Sequence, residues 1–236
     1  MFYIDWTYII LVMPAIIFAT WASARVNTTF EKYSKQLSAR RMTGEEAARR
    51  VLSANGIYNV EIKRIGGKLT DHYDPRDNVI RLSDAVYSGT STAAIGVAAH
   101  EAGHAVQHAQ NYAPVKIRTA IVPITNIGSK LSIPLILIGI LLSYLGPIFP
   151  YIAYAGVAAF GLCVVFQLVT LPTEFNASSR ALVAIEQCGI LSSEEIKGSK
   201  KVLSAAALTY VAALAVTFMQ FLRLFLMVAS SSNRRR

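Results

Sequence analysis

Ala99-His100-Glu101-Ala102-Gly103-His104-Ala105-Val106-Gln107 lies inside a run, Thr92 to Ala109, whose spacing predicts a helix. Side chains four apart in a helix lie ~6 Å along the axis and share one face, so His100 and His104 point the same way. Two imidazoles held like this can bind one Zn²⁺. The glutamate between them can reach a water at the metal. A surface helix that happens to carry His and Glu is the plainer alternative, and so specific a pattern disfavours it.

Around this helix the chain reads as a small polar module set among apolar stretches. Of 236 residues, 53% are hydrophobic and 16% charged, too apolar for an ordinary soluble domain. Most of the charge falls in residues 25–118, and the stretch 131–173 is essentially bare of it. The net charge of +9 does not argue for nucleic acid. The basic residues flank apolar segments, as the positive-inside rule expects, and form no stripe with interleaved aromatics. Cys163 and Cys188 do not suggest a disulfide framework.

Tyr8 to Ala24 has the length and composition of a membrane anchor. Only Asp5 precedes it, whereas Arg25, Lys32, Lys35, Arg40, Arg41, Arg49 and Arg50 follow. That asymmetry predicts an uncleaved anchor with its N-terminus outside and the polar module in the cytoplasm; a cleaved signal peptide would want basic residues first. Two further spans are expected at about 121–144 and 151–169. A fourth is expected from about Val202, broken by Gln220 and Arg223; a helix lying along the interface is the alternative there. The expected organisation is an anchor (1–24), a cytoplasmic module (25–118), two spans (119–170), a polar helix (171–201) and a last apolar helix with a basic tail (202–236). The fold class is α+β: a mostly helical membrane protein with about four transmembrane helices and a small zincin-like cytoplasmic module with a short β-sheet.

Within the module, Thr43-Gly44-Glu45-Glu46 predicts a capping box opening a helix to about Ala54. Val60–Ile65 and Lys68–Tyr73 read as strands joined by a tight Gly66-Gly67 turn, and Asn78–Ser83 as a third strand. The third strand is expected at a sheet edge beside the catalytic helix, where an extended substrate could pair with it. Thr173 after Pro172 predicts the start of a fresh helix running to Gln187, and Ser192-Ser193-Glu194-Glu195 opens another.

A catalytic zinc usually takes three protein ligands. His108 lies ~12 Å along the helix from His100, too far to converge on the same ion. The pattern with a third histidine six residues past the second fails, because Gln107 and Gln110 stand at its glycine and histidine positions. From Ala102 to Thr173 there is no acidic residue, and Glu174 is the first. Two spans separate it from His104, so both face the same side of the membrane. Glu174 is therefore the expected third ligand; a carboxylate favoured by a helix N-terminus is its bland reading, and both can hold.

These segments resemble the bacterial membrane zinc metallopeptidases of the YugP type. The resemblance is carried by Asn78-Val79-Ile80-Arg81-Leu82-Ser83, by Ala99–Gln107, by Leu171-Pro172-Thr173-Glu174-Phe175-Asn176-Ala177-Ser178-Ser179-Arg180-Ala181-Leu182 and by residues 205–213. More distantly the chain is similar to the glutamate-ligand zincins of the HtpX type. The resemblance implies a membrane-embedded peptidase with Zn²⁺ as cofactor, His100 and His104 as ligands and Glu101 as the catalytic residue. In the distant relatives an Asp often follows the ligand Glu by four residues; here Ser178 stands in that place, and Ser178 or Asn176 is expected to hydrogen-bond a ligand histidine instead. His72, His108 and Arg180 are candidates for a second oxyanion donor. The expected partners are the lipid bilayer and a peptide or membrane-protein substrate, met at the cytoplasmic face. Competing readings are a catalytically silent membrane scaffold or chaperone, an intramembrane protease and a non-peptidase zinc hydrolase. An intact Glu101 speaks against the first, and the absence of any Asp after Asp84 against the second.

Overall fold

The computed structural model describes residues 5–233 and divides into two units. One comprises Ala22–Lys116 and Pro172–Thr209; the other comprises the chain up to Trp21, Ile117–Leu171 and the chain from Tyr210. The helices α1 (Met13–Ser34, preceded by a π-helical segment Tyr8–Val12), α6 (Ile148–Gln187) and α7 (Ser193–Asn233) run through both.

The first unit holds the polar module. Helix α2 (Gly44–Ala54) opens on the capping box that the sequence predicts: Thr43 accepts from the Glu46 N–H, and Glu46 accepts from the Thr43 N–H. It buries Ala47, Ala48, Val51 and Leu52. Three strands follow, β1 (Glu61–Ile65), β2 (His72–Asp74) and β3 (Val79–Ser83), in the order β1-β3-β2. Strand β3 pairs parallel with β1 and antiparallel with β2.

This order corrects two expectations. Strands β1 and β2 do not form a hairpin about Gly66-Gly67. The connection bends through positive φ at Gly67 and Leu69, and β2 begins only at His72. Strand β3 is not an edge either. Its residues are buried at all but Arg81, whereas β1 is mostly exposed, so burial draws β3 to the centre with a partner on each side. No edge of β3 is left for a substrate strand, which removes that docking idea.

After a single turn, α3 (Asp84–Tyr87), Ser91 caps α4 (Thr92–Ala109) by accepting from the Ala94 N–H. Helix α4 is buried nearly all round, and its small residues allow this. A Cβ on Gly103 would sit 2.7 Å from the Ala177 carbonyl oxygen of α6, and one on Gly96 3.0 Å from Ser199 Cβ of α7. Ser199 also donates to the Thr92 carbonyl at 2.7 Å. One hydrophobic core joins α2, the sheet, α4 and the first-unit parts of α6 and α7, with Ile80, Leu82, Ile95 and Ile185 fully buried.

The second unit is built of apolar helix. Among the described residues four helices are long and apolar enough to cross a membrane: Tyr8–Ser34, Ala113–Leu141 (α5), Ile148–Gln187 and Ser193–Ser231. Helices α5 and α6 approach closely at small residues: a Cβ on Gly139 would collide with the Ala153 nitrogen, and one on Gly156 would sit 2.7 Å from the Ser132 carbonyl. Arg223, the charge that interrupts the last apolar stretch, is paired. Its guanidinium donates to Asp5 Oδ2 at 2.9 and 2.5 Å and lies 5.2 Å from the Tyr8 ring centre. With this the expected class, an α+β membrane protein with a short sheet, describes the chain.

The fresh helix expected at Thr173 does not occur. Helix α6 continues through Pro172 and is 40 residues long in all. Proline is tolerated inside apolar spans because neighbouring groups can satisfy the backbone it frees. At 1.5 Å per residue 40 residues span about 60 Å, twice the ~30 Å hydrocarbon core, and residues 174–187 come after the apolar part of the helix. Helix α7 likewise runs unbroken from its Ser192–Glu195 cap for 41 residues.

Candidate metal centre

His100 and His104 stand one turn apart on α4, their rings edge to face with centres 4.7 Å apart. Across from them α6 presents Glu174, a side chain 2% exposed. Its Oε2 lies 3.4 Å from His100 Nε2 and 3.4 Å from His104 Nε2. One ligand atom from each of the three residues falls within 4.8 Å of the others, the arrangement a metal ion could occupy. The close contact of Gly103 with Ala177 brings the two helices together at this level.

The outer nitrogens of both rings are already engaged. Ser178 Oγ is 3.1 Å from His100 Nδ1, and Gln107 Oε1 is 3.0 Å from His104 Nδ1. Gln107 is fully buried, and its orientation is set: Nε2 donates to the Thr173 carbonyl at 2.8 Å and to Asn176 Oδ1 at 2.9 Å. Its oxygen is thus left as an acceptor, so His104 carries a proton on Nδ1, and Nε2 is the atom left to face Glu174 or a metal. Asn176 in turn accepts from Arg180 Nε at 2.7 Å, and Arg180 donates to Gln110 Oε1 at 2.5 Å above the Tyr112 ring. Two imidazoles with their outer nitrogens hydrogen-bonded, facing one carboxylate, form a donor set that fits Zn²⁺.

Burial disfavours the charged form of His104, but the Glu174 hydrogen bond, the nearby Glu101 and Glu174 carboxylates and Gln107 outweigh it, and the pKa lies above its ordinary value. A metal entering here must displace that proton, so its affinity falls as the pH drops through the raised value.

Glu101, 8% exposed, is held from the sheet: its Oε2 accepts the Tyr73 N–H of edge strand β2 at 2.9 Å. Nearby Asp71 accepts from the N–H and hydroxyl of Ser83. Burial pushes the Asp71 carboxyl up, against the Ser83 bonds, and the charge of Glu101 adds to the rise.

The remaining candidates stand apart from the three converging side chains. His72 is exposed, with its ring nitrogen 2.8 Å from the Thr70 carbonyl. His108 is exposed on the last turn of α4, 3.5 Å from the Tyr73 hydroxyl. Asn176 is linked to His104 through Gln107. Arg180, the third oxyanion candidate, is tied to Asn176 and Gln110. Gln107 and Tyr73 were not legible as site residues. Gln107 gave one signal, its position three residues past His104 on the same face. Tyr73 contributes a backbone N–H, which its residue type does not advertise.

If Gln107 fixes the His104 tautomer, Gln107→Ala should weaken zinc binding about 10–100-fold while the protein stays folded. Competitive titration against a zinc-chelating dye measures this. Unchanged affinity would make Gln107 a packing residue only.

A helix-borne pair of histidines and a buried carboxylate, in a chain with four span-length apolar helices, define a membrane protein of the zinc metallopeptidase class. The chain belongs to the family described as "putative neutral zinc metallopeptidase", whose sequence pattern matches residues 8–229. It is 46% identical over 221 residues to the "Putative membrane protease YugP" of Bacillus subtilis (strain 168), covering 94% of this chain and 96% of that one. No solved structure matches significantly.

Proposed function

We propose that this chain is a membrane-embedded zinc endopeptidase in which His100, His104 and Glu174 hold one Zn²⁺ and Glu101 is the general base and acid. The observation that carries the reading is the convergence of the three donor atoms beside a buried Glu101. Membership in a zinc metallopeptidase family supports it. Bound zinc would lower the pKa of a water it coordinates and polarise the scissile carbonyl. Glu101 takes the proton released by the attacking water and delivers it to the departing amine. The Tyr73 N–H keeps that carboxylate aimed while it does so. Ser178 and Gln107 keep the Nε2 atoms of His100 and His104 available.

The proposed substrates are membrane proteins or their juxtamembrane segments. Basic residues follow the first apolar helix and precede the last, which favours a site on the cytoplasmic face with the N-terminus outside. Glu174 lies only a few residues past the apolar part of α6, so a scissile bond would be met near the bilayer surface.

One reconstitution tests both statements. Cleavage should stop on chelation and return with added Zn²⁺, and a bilayer-anchored reporter should be cut faster than a soluble peptide of the same sequence. Cleavage indifferent to chelation would end the zinc reading. Equal rates on the two reporters would end only the substrate assignment.

A further inference from the structure

A second concave site lies in the polar unit, between the C-terminal half of α1 and the N-terminal part of α7. Its volume is about 700 Å³, within the ~300–1,000 Å³ range of ligand sites. Arg25 and Lys32 line it from α1; Lys197, Lys200 and Lys201 line it from α7. Among the described residues no carboxylate lines it. Lys197 shares its charge with Glu194 at 2.7 Å. Lys32, Lys200 and Lys201 have no ion-pair partner among the described residues. Lys32 and Lys201 both stand against the Tyr33 ring, their Nζ atoms 5.7 and 6.0 Å from its centre. The two helices are close at that ring, for a Cβ on Gly198 would sit 2.9 Å from Tyr33 Cδ1.

Concentrating like charge in one concavity raises its potential and attracts an anion. The rest of the lining says which kind. Thr28, Thr29 and Ser204 add hydroxyls suited to phosphate oxygens, while Ala205 and Leu208 continue the wall in apolar residues. Arg25 is the first charge after the apolar part of α1, and Lys201 the last before the apolar part of α7. The cavity therefore sits where two span-length helices pass from polar to apolar sequence, with the lysines grouped about Tyr33 and with Arg25, Ala205 and Leu208 toward the apolar parts of the two helices. A free phosphate would use the cations and hydroxyls and leave Ala205 and Leu208 unused. We infer that this cavity binds the phosphate headgroup of an anionic phospholipid, with the acyl chains continuing along the apolar side. The site does not depend on the metal centre.

The test uses the full chain purified in a neutral detergent and offered phosphatidylglycerol or phosphatidylcholine, with retained lipid read by native mass spectrometry. The expected result is retention of phosphatidylglycerol at least about tenfold above phosphatidylcholine, weakened by salt. The triple variant Lys32→Gln, Lys200→Gln, Lys201→Gln should lose that preference. The matching triple Lys→Arg variant should keep it, which separates loss of charge from loss of fold. Equal retention of the two lipids overturns the inference, as does undiminished phosphatidylglycerol binding in the Gln triple. Displacement of the lipid by inorganic phosphate at equal concentration also overturns it, because the site would then be a soluble-anion site.

Discussion

Glu101→Gln is expected to cut peptide cleavage by about 10²–10⁴-fold and to leave bound zinc unchanged. Glutamine has the size and shape of glutamate, and its carbonyl oxygen can still accept the Tyr73 N–H that orients the native side chain. The fold around α4 should therefore persist. What disappears is the capacity to take a proton from the attacking water and return it to the leaving nitrogen. Metal analysis alongside initial-rate measurement on one peptide separates the two effects. A variant that lost zinc together with activity would make Glu101 a structural or ligating residue. One that kept full turnover would place the base elsewhere.

Glu174→Ala is expected to lose zinc as well as activity. Partners that merely orient a ligand are worth about 10–100-fold in metal affinity, so removing a direct ligand should exceed the upper end of that range. The carboxylate is 2% exposed and faces both Nε2 atoms, so no other acid on α6 can take its place. Glu186→Ala is the control. That glutamate lies on the same helix but is exposed, and zinc content and rate should be unaffected. Zinc retained at wild-type affinity in Glu174→Ala would mean that the ion is held without α6.

The parts of the fold that followed local rules were legible. The Thr43–Glu46 capping box, the Ser91 cap and the i,i+4 histidines depend on neighbours in sequence, and these elements lie where their spacing puts them. Glu174 was reachable without any contact information, because no other acid lies between Glu101 and the end of the third span and an even number of spans intervenes. Strand order was not legible. Gly66-Gly67 has the composition of a hairpin turn, but the burial of β3 across both faces places it centrally, and that depends on what α2 and α4 cover. The continuity of α6 through Pro172 was hidden for a related reason: proline reads as a break in water and not in an apolar helix. The pairing of Arg223 with Asp5 joins residues at opposite ends of the chain, which no local pattern announces. The chain from Arg180 through Asn176 and Gln107 to His104 escaped because each link crosses between helices or turns on the rotation of one amide.

Zinc K-edge absorption spectroscopy of the purified wild-type chain asks what holds the ion. The account predicts two imidazole nitrogens and carboxylate oxygen at about 2.0–2.2 Å, with the contribution of both imidazoles and its multiple-scattering signature unchanged in Glu101→Gln. A first shell containing sulfur, or one without paired imidazoles, would contradict it.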